Sequence, residues 1–270
     1  MIPNILSIAG SDPSGGAGIQ ADLKAISASG GFGMAAITAL TAQNTCGVTG
    51  VHLVPAAFVV AQIEAILEDI DVAAIKIGML GTAEIVEAVA GALPDAGPPL
   101  VVDPVMVAKG GDRLLEASAV DALRTDLIPR ATVITPNLPE AADLAGRPTP
   151  QDRIEMEELA NTLLDLGPKM VVLKGGHLGG PESPDLVATA TTRHWLDGAR
   201  VTTKNTHGTG CSLSSALATF LALTPEDPIG AATRAKTFVA RSIAKAHELS
   251  VGRGHGPIHH FHALVASEEP

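Results

Sequence analysis

The chain has 270 residues, 46% of them hydrophobic and 17% charged, so it carries enough apolar surface to offset the entropy of ordering and is not a disordered chain. Its 18 Lys and Arg against 29 Asp and Glu give a net charge of −11, with five Phe, one Trp and no Tyr. It therefore lacks both the clustered cations and the stacking rings of a nucleic-acid binder.

Cys46 and Cys211 are too few for a disulfide scaffold and fit a reduced, cytoplasmic setting. Met1 to Asn4 shows no basic segment leading into an apolar one, so no secretory signal is expected. The uncharged stretch from Ala25 to Ile63 is interrupted by Gly, Ser, Thr, Gln, Asn and Pro. It never reaches the roughly 18 apolar residues in a row of a membrane span.

Asn4 to Ala9 reads as a buried strand ending at the turn Gly10-Ser11-Asp12-Pro13. Gly18 to Ser29 is a predicted helix with Ile19, Leu23 and Ile26 on one face, stopped by Gly30-Gly31. Met34 to Leu40 reads as the second strand, Phe58 to Ile70 as a helix, Ala73 to Ile77 as a strand and Ala83 to Leu93 as a helix. Pro99 to Val102 and Thr132 to Thr135 read as strands ending at Asp103-Pro104 and Pro136-Asn137. A helix over Arg153 to Leu166 precedes a strand from Met170 to Leu173 that ends at Lys174-Gly175-Gly176. Two β pieces follow, Leu186 to Ala190 and His194 to Leu196, and then two long helices, Gly208 to Leu223 and Ile229 to Glu248.

Strands and helices alternating this often predict an α/β fold, a mostly parallel sheet with helices on both faces. With no repeat or linker, residues 1–270 read as one domain. Ligands in such sheets bind beyond the carboxyl ends of the strands. That rule brings Asp12, Gln43, Met79, Asp103, Asn137 and Lys174 to one edge. Two polar segments rich in Gly and Pro, 109–113 and 179–185, are candidate covers.

Several motifs carry two readings. Gly16 to Ala21 fits G-x-G-x-x-A, but no acidic residue follows about 20 positions on, so a loop allowing close approach of a small ligand competes with a dinucleotide site. No G-x-x-x-x-G-K-[ST] loop is present. Thr206-His207-Gly208-Thr209-Gly210-Cys211 precedes a long helix. It is either an anion site, with several N–H groups and a helix N-terminus aimed at a phosphoryl group, or a plain tight turn. The same helix field is expected to lower the Cys211 thiol pKa, unless Cys211 is simply a small buried residue.

Asn137 and Glu140 could cap a helix, and Glu140 could instead hold Mg²⁺ through water. Asp103 could face a cation or cap a turn, and Lys174 could bind phosphate or stay solvated. The Gln43 carboxamide presents a donor and an acceptor, which suits a heterocycle and equally suits a loop. The histidines of Pro257 to His262 have no accompanying Cys or carboxylate cluster, and no metal is assigned to them.

Read together and in order, these motifs resemble the hydroxymethylpyrimidine/phosphomethylpyrimidine kinases of the ribokinase superfamily. The likeness runs from Ile8 through Lys24, then through Thr41 to Thr45, Lys76 to Leu80, Asp103 to Met106, Thr135 to Ala141, Lys174 to His177 and Lys204 to Cys211, and ends in the Gly256 to His262 tail. It implies a ribokinase-like three-layer α/β/α sandwich and phosphorylation, with ATP and Mg²⁺, of 4-amino-5-hydroxymethyl-2-methylpyrimidine and then of its monophosphate in thiamine biosynthesis. By the same resemblance Gln43 reads the aminopyrimidine, Met79 and Val105 pack on the ring, and Gly10 and Asp22 line the pocket. Gly208, Thr209 and Gly210 form the anion hole, and Cys211 is the base. Asp103 and Glu140 arrange Mg²⁺, and Lys174, Thr206 and Lys236 face the ATP phosphates. Much of the superfamily has aspartate as the base. A thiol would repel the anionic second acceptor less than a carboxylate does.

The resemblance also implies a homodimer with small-molecule partners, and neither nucleic acid nor membrane. A pyridoxal or pyridoxine kinase of the same fold is an alternative, as is a non-catalytic pyrimidine-binding protein.

Overall fold

The computed structural model describes residues 1–106 and 116–264. The candidate cover at 109–113 lies outside the described residues. In chain order the elements are β1 (Asn4–Ala9), α1 (Gly18–Ala28), β2 (Phe32–Ile37), β3 (Ala39–Asn44), β4 (Gly47–Leu53), α2 (Ala56–Leu67), β5 (Ala74–Ile77) and α3 (Ala83–Ala92). Then come β6 (Leu100–Val102), α4 (Ala117–Ala122), β7 (Val133–Ile134), α5 (Leu138–Ala145), α6 (Arg153–Leu164), β8 (Met170–Lys174), β9 (Asp185–Thr189), β10 (Arg193–Leu196), α7 (Thr209–Leu223) and α8 (Pro228–Ala244).

Eight strands form one sheet in the order β10-β9-β8-β7-β6-β5-β1-β2. Strands β2, β1, β5, β6, β7 and β8 run parallel, and β9 and β10 continue the sheet antiparallel. Successive strand residues face opposite sides, which assigns them to two cores. Leu6, Ile8, Ile77, Val102 and Ile134 pack with the helices α2 to α6. Ile5, Ala74, Val101, Val133 and Val172 pack with α1, α7 and α8. The result is the expected three-layer sandwich, and the short apolar strand runs are those of a sheet buried on both sides. Among the described residues no helix is long and apolar enough to cross a membrane.

The largest difference from the predicted elements is at the second strand. Met34 to Leu40 is not one strand. β2 ends at Ile37, and β3 begins at Ala39 in a separate two-stranded sheet with β4. Thr38 makes the break. Its N–H donates to Ala9 O at 3.0 Å and its hydroxyl to Met79 O at 2.7 Å, so the chain is anchored there and turned out of the main sheet. The hairpin carries Gln43 on β3, beside a register shift between Ala42 and Gln43. The predicted helix from Ile229 to Glu248 also divides. α8 stops at Ala244, and Ala246–Glu248 is a 3₁₀ turn.

The other candidate cover, 179–185, is strapped down by one side chain. The Arg200 guanidinium donates to the carbonyls of Gly176 (2.8 Å), Leu178 (2.6 Å), Gly180 (3.0 Å) and Glu182 (3.0 Å).

Candidate active site

The glycine-rich turn before α7 is built by steric necessity. Gly208 has φ +78°, and a Cβ on it would lie 1.8 Å from the Gly16 carbonyl oxygen. Only glycine fits both the conformation and the gap. The Ser212 N–H donates to Gly208 O at 2.9 Å. The Gly210 and Cys211 amides precede it, at the helix end where no preceding turn supplies a carbonyl. They and the helix dipole form a ready anion site. A second layer braces this turn. Ser212 Oγ donates to Gly208 O at 2.7 Å, and His260 Nε2 lies 2.8 Å from the same Oγ. The Ser212 proton being spent on Gly208, His260 is the donor to Ser212. Burial, with the cationic neighbourhood of Lys24, His259 and His262, pushes its pKa down to about 4 and keeps it neutral. The histidine tail thus holds the turn.

Facing the turn are residues from the ends of three strands. Lys174, the last residue of β8, places Nζ 3.0 Å from Asp103 Oδ1 and 3.9 Å from Glu140 Oε2. Asp103, which follows β6, also accepts from Thr135 Oγ1 at 3.1 Å and Ser214 Oγ at 3.3 Å. A Cβ on Gly210 would sit 3.1 Å from Lys174 Nζ and 3.5 Å from Asp103 Oδ2, so the lysine and the aspartate reach the first turn of α7. Glu140 does both things the sequence allowed. It closes a capping box with Asn137, Asn137 N–H donating to Oε2 at 2.8 Å and Glu140 N–H to Asn137 Oδ1 at 2.9 Å. It also stands beside the Lys174–Asp103 pair. Burial pushes its pKa up to about 7, and Asp103 adds to that while Lys174 works against it. Burial disfavours the Lys174 ammonium as well, but Asp103 and Glu140 outweigh it and hold its pKa above the ordinary range.

Cys211 departs from expectation. The helix end was expected to lower its thiol pKa. Instead burial pushes it up to about 11. The Lys76 ammonium pulls it down, Asp22 and Asp103 push it up, and a hydrogen bond from the Gly18 amide favours the thiolate. Cys211 is only half-buried at its surface, and its loss of hydration comes from the packing of α7 on α1 beside the Gly18 amide.

Asp22 also departs from expectation. It lies behind the pocket and not on its wall. It is fully buried, with Lys76 Nζ at 2.8 Å, Ser7 Oγ at 2.7 Å and Ser215 Oγ at 2.8 Å. Ser215 is one helical turn beyond Cys211, and Asp22 one turn beyond Gly18, so the carboxylate occupies the rung below the thiol.

Three of the proposed ring-reading residues, Gly10, Met79 and Gln43, lie in or beside the loop after β1. Gly10 leaves room for Met79, whose Cε would be 2.5 Å from a Cβ there. Val105 is half-buried in the turn after β6, its N–H donating to Asp103 O at 2.8 Å. Gln43 stands between Thr41 Oγ1 (3.3 Å) and His207 Nε2 (3.5 Å). Thr206 is half-buried and donates its N–H to Lys204 O at 3.1 Å, at the start of the glycine-rich turn. Lys236 is spent on Asp185 (2.8 Å) and Ser183 O (2.7 Å), and Asp185 in turn accepts from the Gly175 N–H at 3.0 Å. It braces the end of β8 next to Lys174. Sequence reasoning gave no role to Lys76 or to the Asp12–His207 pair, which join distant segments and have no local spacing to betray them.

Among the described residues no group of three or more His, Cys, Asp and Glu is arranged to hold a metal by itself. Asp103 and Glu140 are hard oxygen donors that share a single ammonium, which fits a divalent cation arriving with further oxygen ligands of its own.

An anion-binding helix end, a buried lysine and two carboxylates on the carboxyl edge of a parallel sheet suit one class of reaction, the transfer of a phosphoryl group. Comparison with known proteins agrees. The family model described as phosphomethylpyrimidine kinase matches residues 12–259. The hydroxymethylpyrimidine/phosphomethylpyrimidine kinase of Salmonella typhimurium is 49% identical over 263 residues, covering 96% of this chain and 98% of that protein. Among solved structures, a pyridoxal kinase of Bacillus subtilis in an ADP complex superposes with a TM-score of 0.89 at 35% identity, covering 98% of this chain and all of the other. A phosphomethylpyrimidine kinase of Clostridium difficile superposes at 0.78 with 42% identity, covering 89% of this chain and 99% of the other. The chain belongs to the phosphomethylpyrimidine kinase family, and it is a phosphotransferase of ribokinase-like fold.

Proposed function

We propose that the protein phosphorylates 4-amino-5-hydroxymethyl-2-methylpyrimidine and then its monophosphate, using Mg-ATP, and so supplies the pyrimidine diphosphate for thiamine diphosphate synthesis. The observation that carries this reading is the convergence of Cys211, Lys174 and Asp103 on the first turn of α7. Gly208, Thr209 and Gly210 receive the transferring phosphoryl group, and Lys174 neutralises charge building on it. Cys211 takes the acceptor's proton in its thiolate form, which Lys76 and the Gly18 amide favour against burial. Gln43, Met79, Val105 and Gly10 hold the ring so that its 5-substituent points at the turn, and Thr206 and Lys236 border the nucleotide. Asp103 and Glu140 would hold Mg²⁺, which, when bound, screens the phosphate charge. The chain works as one cytoplasmic domain, 1–270, in a homodimer, as the family resemblance suggests.

The B. subtilis structure favours a second reading, since a pyridoxal kinase superposes on this chain at a TM-score of 0.89. ADP release in the presence of Mg-ATP separates the two. Turnover of both pyrimidines, lost in Cys211→Ala, is the expected result. Turnover of pyridoxal alone would replace the pyrimidine reading, and sedimentation of the purified chain tests the dimer.

A further inference from the structure

We propose that Asp12 and His207 are positioning residues that keep the Gln43 carboxamide free to read the pyrimidine ring, an inference that rests on the ring-reading role of Gln43. Asp12 lies in the loop after β1, and His207 in the turn before α7, 195 residues further along the chain. His207 Nε2 is 2.7 Å from Asp12 Oδ2. The same carboxylate accepts the Ser14 N–H at 2.9 Å and the Ala17 N–H at 2.8 Å. Burial opposes the charged form of Asp12, but these bonds from His207, Ser14 and Ala17 outweigh it, and its pKa lies below the ordinary range. An ionised carboxylate only accepts hydrogen bonds, so His207 must carry its proton on Nε2 and donate it.

The consequence falls on Gln43, whose amide nitrogen is 3.5 Å from that Nε2. A nitrogen already bearing a proton offers no lone pair, so it cannot capture the amide N–H. Asp12 Oδ2 cannot capture it either, because His207 and Ala17 already occupy that oxygen. The loop backbone also limits the imidazole: a Cβ on Gly16 would lie 2.3 Å from His207 Cδ2 and 3.2 and 3.3 Å from Nε2 and Cγ, so the Cδ2 edge of the ring abuts Gly16. Both groups that could divert the Gln43 N–H donors are thus satisfied by each other. The donors remain for an acceptor in the pocket, such as a ring nitrogen. Replacing His207 by an apolar residue would uncover the anionic oxygen, and removing the Asp12 carboxylate would release an imidazole lone pair. Either change turns Gln43 away from the substrate.

A double-mutant cycle tests this, read as KM and kcat for hydroxymethylpyrimidine with Mg-ATP in excess. Gln43→Ala is expected to raise KM about tenfold, the order of one lost hydrogen bond. His207→Leu should raise it by a similar factor with kcat and the KM for ATP little changed, and the double variant should be no worse than Gln43→Ala alone. His207→Gln, whose amide can still donate to Asp12, should restore the KM. Should His207→Leu not fold, Asp12→Ala takes its place in the cycle. Multiplying effects in the double variant would overturn the proposal while leaving Gln43 as the reader. An unchanged KM in Gln43→Ala would overturn the reading of Gln43 and the proposal with it.

Discussion

Lys76 and Asp22 form an ion pair at 2.8 Å with neither side chain exposed to solvent. The pair lies one turn beneath the Cys211 thiol, with Ser7 and Ser215 completing the carboxylate's bonds. Removing one member of a buried pair strands the other charge and costs about 3–5 kcal/mol. Lys76→Met is therefore expected to lower stability by that amount in urea unfolding. The double change Lys76→Met with Asp22→Leu should recover much of it. A single substitution as mild as the double one would show that the pair does not carry this charge balance.

The thiol of Cys211 titrates at about 11 because burial outweighs Lys76 and the Gly18 amide. In a Cys46→Ser background, iodoacetamide alkylation of Cys211 should climb about tenfold per pH unit between pH 7 and 10. Folding favours the neutral thiol, so the group's stabilising contribution is complete below the unfolded pKa of about 8.5 and lost as pH rises towards 11. A rate already flat at pH 8, followed by mass spectrometry, would contradict the buried thiol.

Replacing the proposed base by a carboxylate should separate the two phosphorylations. Cys211→Asp puts a permanent charge beside the second acceptor, which is itself an anion. The second step is expected to suffer more than the first when each is followed with its own acceptor. Equal losses in the two would show that acceptor charge does not govern the choice of thiol.

Gly208→Ala demands a Cβ 1.8 Å from the Gly16 carbonyl at a backbone φ of +78°. The strain is on the order of 1–3 kcal/mol, and relieving it would displace the amides proposed to bind the anion. A fall in kcat of about a hundredfold is expected, the scale of losing one such donor, with the protein still folded by circular dichroism. Near-normal kcat would remove these amides from the mechanism.

His260 titrates near 4 because it is buried. Its pKa is depressed on folding, so its contribution is present above the unfolded value of about 6.5 and lost as pH falls towards 4. The melting temperature should drop over that window. His260→Asn, which keeps a donor for Ser212, should flatten the drop. An unchanged acid profile in the variant would assign the loss to other groups.

Most strands and helices were legible because the strands are short, nearly continuous apolar runs and the helices repeat apolar residues at period 3.6, each bounded by Gly, Pro, Asp or Asn. β1, α1, β5 and β8 fall within a residue or so of expectation. β4 was not, since Gly47 to Leu53 is largely exposed and has no buried face to pattern it. Thr38 was equally silent, because its decisive bond is to Met79, 41 residues away. The convergence of Asp103, Lys174 and Cys211 could be read from strand ends and a helix start. Asp22 could not be placed, as its partners Ser7, Lys76 and Ser215 come from three other elements. The Cys211 pKa was misjudged for a related reason. A helix field is visible in sequence, but the dehydration that overrides it arises only when α1 and α7 pack together.

The β3–β4 hairpin shares no strand pairing with the main sheet, yet it alone supplies Gln43. On the proposed reading, the Gln43 share of acceptor selection therefore sits on a piece of chain outside the main sheet, while Gly10, Met79 and Val105 stay on its edge. On that reading, substitutions in the hairpin would retune which heterocycle is accepted while Lys174, Asp103 and the α7 turn stay fixed.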